Sequence, residues 1–304
     1  MTTAIDLSQL PAPNVIEPLD YESLLAARKS SLLALWPAEE QPAIAARLEL
    51  ESDPLTKLLQ ENAYREMLLR QRINDAALAV MLAYATGADL DQLGARDNIA
   101  RLVIEPGDAN AVPPRPPVYE SDSAFRRRIQ LSPEGYTTAG SADSYVFHGL
   151  SAAADVADIS AISPQPGHIT LYVLSRSGDG TASAELLEAV RAAVNAERVR
   201  PMNDQVTVQS ANIVPYSITA QLVMLPGPDA SVVLAAARAA AEAYAAEQHA
   251  MRRDVTLSGI YAALHQPGVQ RVDLTAPAAN LVIGTGEASY CTGITVTLAE
   301  ATDV

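Results

Sequence analysis

Four histidines, one cysteine, a run of carboxylates and one arginine triplet are the side chains whose types could do chemistry. A metal site built on a helix needs two imidazoles on one face, as in His-Glu-x-x-His. His148, His168, His249 and His265 include no i,i+4 pair, so each reads as an isolated polar or half-buried ring. Cys291 follows Ser289-Tyr290; with a histidine beside it the thiol could be a nucleophile, whereas beside apolar strand residues it reads as packing. There is no Gly-x-Ser-x-Gly elbow and no P-loop. Gly284-Thr-Gly286 and Gly178-Asp-Gly180-Thr181 are lone glycine pairs. The second falls between a strand and a helix, where backbone amides could cradle an anion. Ser183 stands where a dinucleotide fingerprint has its third glycine, so Thr181 or Ser183 as a helix cap is the simpler reading. Glu39, Glu40, Glu49, Glu51 and Asp53 are the residue types of a glycosidase acid/base pair. In a chain this acidic they read as a solvated face. Arg126-Arg127-Arg128 could grip a phosphate, and reads instead as pairing with acids of this chain or of a partner. These residues spell no catalytic constellation, no metal set and no cofactor fingerprint.

The elements that would have to position such residues are bounded by size and charge. The chain has 304 residues, with Lys+Arg 21 against Asp+Glu 36 and a formal charge of −15. Segments 1–100, 101–158 and 159–304 carry 8/15, 5/8 and 8/13 basic/acidic groups, so none is a basic module. Binding to a phosphate backbone needs clustered cations, which argues against nucleic acid and anionic membrane surfaces as partners. One cysteine excludes a disulfide scaffold within the chain. Residues 1–20 have no secretory pattern, and no run of 18 apolar residues suggests a membrane span. The expectation is a protein made in the cytoplasm with no membrane insertion. Aromatics at 5% leave a core of Ala, Leu, Val and Ile.

Along the chain, residues 1–19 read as an extended, proline-bearing arm. A helical region follows over 20–104. Its helices are predicted at 20–35, at 38–51 with Pro37 as the first residue, and from Asp53-Pro54 onward. The third has no Gly or Pro from 55 to 86, and Gly87 is its expected C-cap, giving roughly 45–50 Å of helix. Leu55, Leu59, Ala63 and Met67 form one i+4 stripe, and Ile73, Ala77, Val80 and Tyr84 a second. Leu58, Leu68, Leu69, Leu78 and Leu82 lie off both, so this helix must be covered on more than one side. Residues 105–118, with Pro113, Pro114, Pro116 and Pro117, read as a stiff polyproline linker and the hinge. Helices at 120–130 and 141–150 follow, then the order β-β-α-β and β-α-α-β-β. The fold class is α+β, with two small domains at 119–210 and 211–304.

Long ordered blocks of this sequence resemble a known family, the baseplate assembly protein J of P2-like contractile-tail phages and R-type bacteriocins (tailocins). They are Glu51-Ser-Asp-Pro54, Leu58-Leu-Gln-Glu-Asn-Ala-Tyr-Arg65 and Ala85-Thr-Gly-Ala-Asp-Leu-Asp-Gln-Leu-Gly94, then Glu120-Ser-Asp122 with Phe125-Arg126. Farther on come Ala161-Ile-Ser-Pro164, Gly178-Asp-Gly-Thr-Ala-Ser183, Val206-Thr-Val-Gln-Ser210, Ile213-Val-Pro-Tyr216 and Ile260-Tyr-Ala-Ala-Leu-His265 with Gly268-Val-Gln-Arg271. The resemblance runs from Leu10 to Gly293. It implies a structural wedge component and no enzyme. Two copies in different conformations would bundle their helices with one tail protein I-type partner, link wedges into a ring around the central hub and spike, and contact a sheath initiator-type protein. Rearrangement of that ring triggers sheath contraction. The two helix stripes would then be buried, some of their residues against partner chains, and the proline segment would be the hinge. The rival readings are a tail-associated cell-wall-degrading enzyme and a transient assembly adaptor or chaperone.

Overall fold

A computed structural model describes residues 5, 7, 10, 11, 13–137, 140–227 and 229–299. The chain divides into two compact units between Ala100 and Arg101.

The first unit is helical: α1 Tyr21–Leu33, α2 Gln41–Leu48, α3 Pro54–Ala79 and α4 Gly87–Arg96. Capping sets the starts. The Asp20 carboxylate accepts from Ser23 N at 2.9 Å and that of Asp53 from Leu55 N at 2.8 Å, with Pro54 behind it. These bonds hold both carboxyls below the usual carboxylate range. For Asp20 the Ser23 hydroxyl contributes most, and for Asp53 the Leu55 amide does. Pro37 does not open α2. Residues 38–40 form a turn, Glu40 is the N-cap, and Pro42 occupies the first helical turn. Either proline suits a position whose N–H needs no partner, so sequence alone could not choose between them.

The third helix is also shorter than its sequence allows. It has 26 residues, roughly 39 Å at the α-helical rise, and Val80 is its C-cap. Turns follow, with Tyr84 N and Ala85 N both bonded to Met81 O at 3.0 and 2.8 Å. Gly87, at φ +52, is the first residue of α4 rather than the cap of α3. Bending here buries Ala85 and Leu90 almost completely; that tertiary gain outweighs a propensity that would have let the helix run on.

The core of this unit joins Leu25 of α1, Ile44 and Leu48 of α2, and Leu59 and Ala63 of α3. Ala63 has no exposed surface, and its small side chain lets a neighbouring helix approach closely. The arm reading falls partly on residues 1–4, 6, 8, 9 and 12, which lie outside the described residues. At residue 17 the chain is tied to its own α3. Glu17 N donates to Asn74 Oδ1 at 3.2 Å and Asn74 Nδ2 donates to Glu17 O at 2.9 Å. Arg70 bridges Glu17 and Glu66 at 2.7 and 2.9 Å. Asn74 is buried because it satisfies this backbone.

The second unit begins with a two-stranded ribbon, β1 Val103–Glu105 antiparallel to β2 Val118–Tyr119. The proline-rich segment is therefore not an extended spacer: it returns on itself. Asp108 and Arg115 exchange both backbone hydrogen bonds at 2.9 Å. Gly107 permits the approach, since a Cβ there would stand 2.8 Å from both Arg115 O and Pro117 N. Gly107→Val should open the ribbon, read as faster hydrogen exchange at the Asp108 and Arg115 amides with the rest of the unit unchanged.

Next come α5 Asp122–Leu131, a 3-10 turn at Ser132–Tyr136 and α6 Ala142–Leu150. Then follow β3 Val156–Gln165, β4 His168–Ser175, α7 Ala184–Val194 and β5 Gln205–Ser210. The sheet order is β3-β4-β5, antiparallel then parallel, as a helical crossover between β4 and β5 requires. The last part is β6 Asn212–Met224, α8 Ala230–Gln248, α9 Leu257–Leu264, β7 Val269–Ala276 and β8 Glu287–Leu298. It forms a second sheet in the order β7-β6-β8. The α+β class and the order β-β-α-β then β-α-α-β-β stand as the periodicity predicts.

Alternating inward residues explain both cores. Leu171 and Val173 of β4 pack with Leu186, Val190 and Val194 of α7. Ile218, Ala220 and Leu222 of β6 pack with Ala237 and Ala241 of α8. Only Ala211 separates β5 from β6. Its amide still bonds to Val173 O of the first sheet at 2.8 Å, and the next amide, Asn212 N, bonds to Gly286 O beside the second at 2.9 Å. The strand thus passes from one sheet into the other, and Leu174, Ala211, Met251 and Ala288 bury the seam. Asp158 closes it, accepting from Arg127 at 2.7 Å, Ile159 N at 2.8 Å and Met251 N at 3.0 Å.

Candidate partner-binding face

Helix α3 presents two faces. Thr56, Leu59, Ala63 and Asn74 face the core. Leu58, Leu69, Ile73 and Val80 are 57%, 67%, 63% and 70% exposed. At 3.6 residues per turn these four fall within roughly 60° of one another and about 110° around the axis from the buried line. Scattered exposed apolar residues need no explanation, but four aligned along one helix form a stripe. Exposed Asn62 interrupts it between Leu58 and Leu69, and Arg65 and Arg72 flank it on one side.

The two predicted stripes divide between these faces. Leu59 and Ala63 are buried and Leu55 and Met67 half-buried, within the chain's own helical unit. Ile73, Val80 and Tyr84 are exposed and Ala77 is half-buried. The reason is geometric: each four-residue step drifts roughly 40° around a helix, so a long i+4 ladder cannot stay on one face. Leu58 and Leu69, outside both ladders, belong to the exposed stripe. Their signal in the sequence is apolarity off the main period. Of the proposed hinge residues, Pro114, Pro116 and Pro117 line an open hollow of the ribbon, and Pro113 stands at its tip beside the fully exposed Val112.

The residues suspected of chemistry are otherwise engaged. His148 is half-buried and held below its usual pKa, chiefly by burial and then by the charge of Arg198. The His168 Nδ1 lies 3.3 Å from Pro166 O. His249 places Nδ1 2.5 Å from Ser289 O and stands edge-on to Tyr290 with ring centres 5.5 Å apart; His265 is the C-cap of α9. His249 and Cys291 do line one shallow hollow of about 220 Å³ between α8 and β8. The Cys291 thiol is 3.5 Å from Gly293 O, and Nδ1 of the imidazole faces the Ser289 carbonyl.

Among the described residues no group of three His, Cys, Asp or Glu is placed to hold a metal. Glu39, Glu40, Glu49 and Glu51 are exposed, and Asp53 caps α3 and pairs with Arg47 at 3.0 Å. In the Gly178 to Gly180 loop, Asp179 accepts from Thr181 N at 3.0 Å, while Ser183 caps α7 by accepting from Leu186 N at 3.2 Å. Two members of the arginine triplet pair within the chain: Arg127 with Asp158, and buried Arg128 with buried Glu120. Glu120 also accepts from Leu102 N at 2.9 Å. Arg101 reaches Glu120 O at 2.9 Å and Asp122 at 2.8 Å, and lies 4.8 Å over the Phe125 ring. No helix among the described residues is long and apolar enough to cross a membrane.

Comparison with known proteins supplies the class. Three successive segments match the Baseplate J-like N-terminal domain at residues 51–108, the Baseplate J-like central domain at 137–210 and the Baseplate J-like protein C-terminal domain at 216–297. The central match ends where β5 ends, and the C-terminal match starts within β6. The chain is also 55% identical over 288 residues to Baseplate protein J of Escherichia phage P2, covering 95% of each chain. The chain belongs to the baseplate J family.

Proposed function

We propose that the protein is a structural wedge component of a contractile-tail baseplate, in a phage or a tailocin. The observation that carries this beyond family membership is the exposed apolar stripe of α3, Leu58, Leu69, Ile73 and Val80, within the N-terminal family match. Such a stripe supports burial in a heteromeric helical bundle, with a second copy of this chain and a tail protein I-type partner as the other members. The remaining partners proposed are a sheath initiator-type protein and the central hub. The role is mechanical rather than catalytic, supported by Glu39, Glu40, Glu49 and Glu51 being solvated, Asp53 capping a helix, and His168 and His249 each facing a backbone carbonyl. The ring's rearrangement on contraction needs two states differing by a few kcal/mol. Mass spectrometry of purified particles tests the structural role. Stoichiometric presence of the chain supports it, and absence from the finished particle favours an assembly adaptor.

A further inference from the structure

A small, partly open hollow of about 30 Å³ lies in the second unit, where α5, α6, β3 and the end of β4 converge, with exposed Arg176 on its rim. Its charged walls are Arg127, Arg128, Arg176 and Glu120, and Ala124 and Leu150 contribute apolar surface. Two of the three guanidiniums are compensated, Arg127 by Asp158 and Arg128 by Glu120. Arg176 is not. It donates to the uncharged carbonyls of Ala154 at 3.2 Å and Val156 at 3.1 Å. A guanidinium carries about five N–H donors, so Arg176 and Arg127 both retain donors beyond these bonds. One water-sized particle needs roughly 10–15 Å³ of such space, so the hollow has room for a small ion.

We propose that this cavity is a binding site for one small monovalent anion of chloride's size. A net positive charge around a small, partly enclosed space favours an anion over a neutral water. The ion would bridge the helix α5, the start of β3 and the segment after β4, fastening the helical layer to the first sheet.

The test is chlorine-35 NMR on the full chain, titrated with sodium chloride against a gluconate background of constant ionic strength. Saturable line broadening is expected in the unmodified protein and should be lost in Arg176→Gln and in Ala124→Val, which fills the cavity. Arg176 is exposed, so its replacement leaves the core intact. Circular dichroism checks that both variants are folded. Absence of saturable broadening, or its retention in either folded variant, overturns the proposal. So does a crystal grown in bromide that shows a water, and no anomalous peak, in the cavity.

Discussion

Replacing Leu69 and Ile73 together by aspartate should leave the helical unit folded and abolish incorporation of the protein into particles. Both side chains are about two-thirds exposed in the free chain, 67% and 63%, so little native packing is lost. Two aspartates four residues apart repel by a few tenths of a kcal/mol, which a packed helix tolerates. In an assembled bundle the same positions would be desolvated. An apolar anchor is worth about 2 kcal/mol or more at the centre of an interface, and placing a charge there costs further. Losing about 4 kcal/mol weakens association roughly a thousandfold. Thermal unfolding of the purified variant and particle counts from cells that supply only this variant separate the two effects. Normal particles would remove the stripe from the interface. Met67→Asp is the informative contrast: Met67 is half-buried within the chain's own unit, so that change should lower the melting temperature of the free chain.

The second large effect concerns the start of the other unit. Glu120→Ala removes the carboxylate that pairs with Arg128 and receives Leu102 N, and both partners of the ion pair are almost fully buried. Orphaning a buried charge typically costs about 3–5 kcal/mol. Urea unfolding monitored by a probe in residues 101–299 should show a midpoint lowered accordingly. The double change Glu120→Ala with Arg128→Met should recover part of the loss, because no charge is then left unpaired. If the single variant unfolds at the wild-type midpoint, the pair does not anchor this segment.

Where the sequence was legible and where it was not has a physical pattern. The second unit was readable because its strands alternate with period two and its helices carry Ser183, Asp229 and Thr256 as caps, so element order follows from local chemistry. The end of α3 was not readable. Nothing between Leu55 and Thr86 forbids helix, and the bend is decided by burial of Ala85 and Leu90, which is a long-range gain. The proline segment was misread as a spacer for a similar reason. Prolines favour extended backbone, but a single glycine, Gly107, and the Asp108–Arg115 pair close it into a ribbon. Of the candidate face, apolarity off the main period marked Leu58, Leu68, Leu69, Leu78 and Leu82 alike, and only their exposure and helical angle select Leu58 and Leu69. Assigning the first stripe to the chain's own core required knowing where α1 and α2 pack.

The central claim is that the outward stripe of α3 is buried against other chains in the baseplate. The most direct test places a photoreactive amino acid at position 69 or 73, irradiates intact particles and identifies the linked peptides by mass spectrometry. The account predicts links to a second copy of the chain or to another baseplate protein, at both positions. Links confined to the same chain, or labelling by solvent alone at both positions, would contradict it.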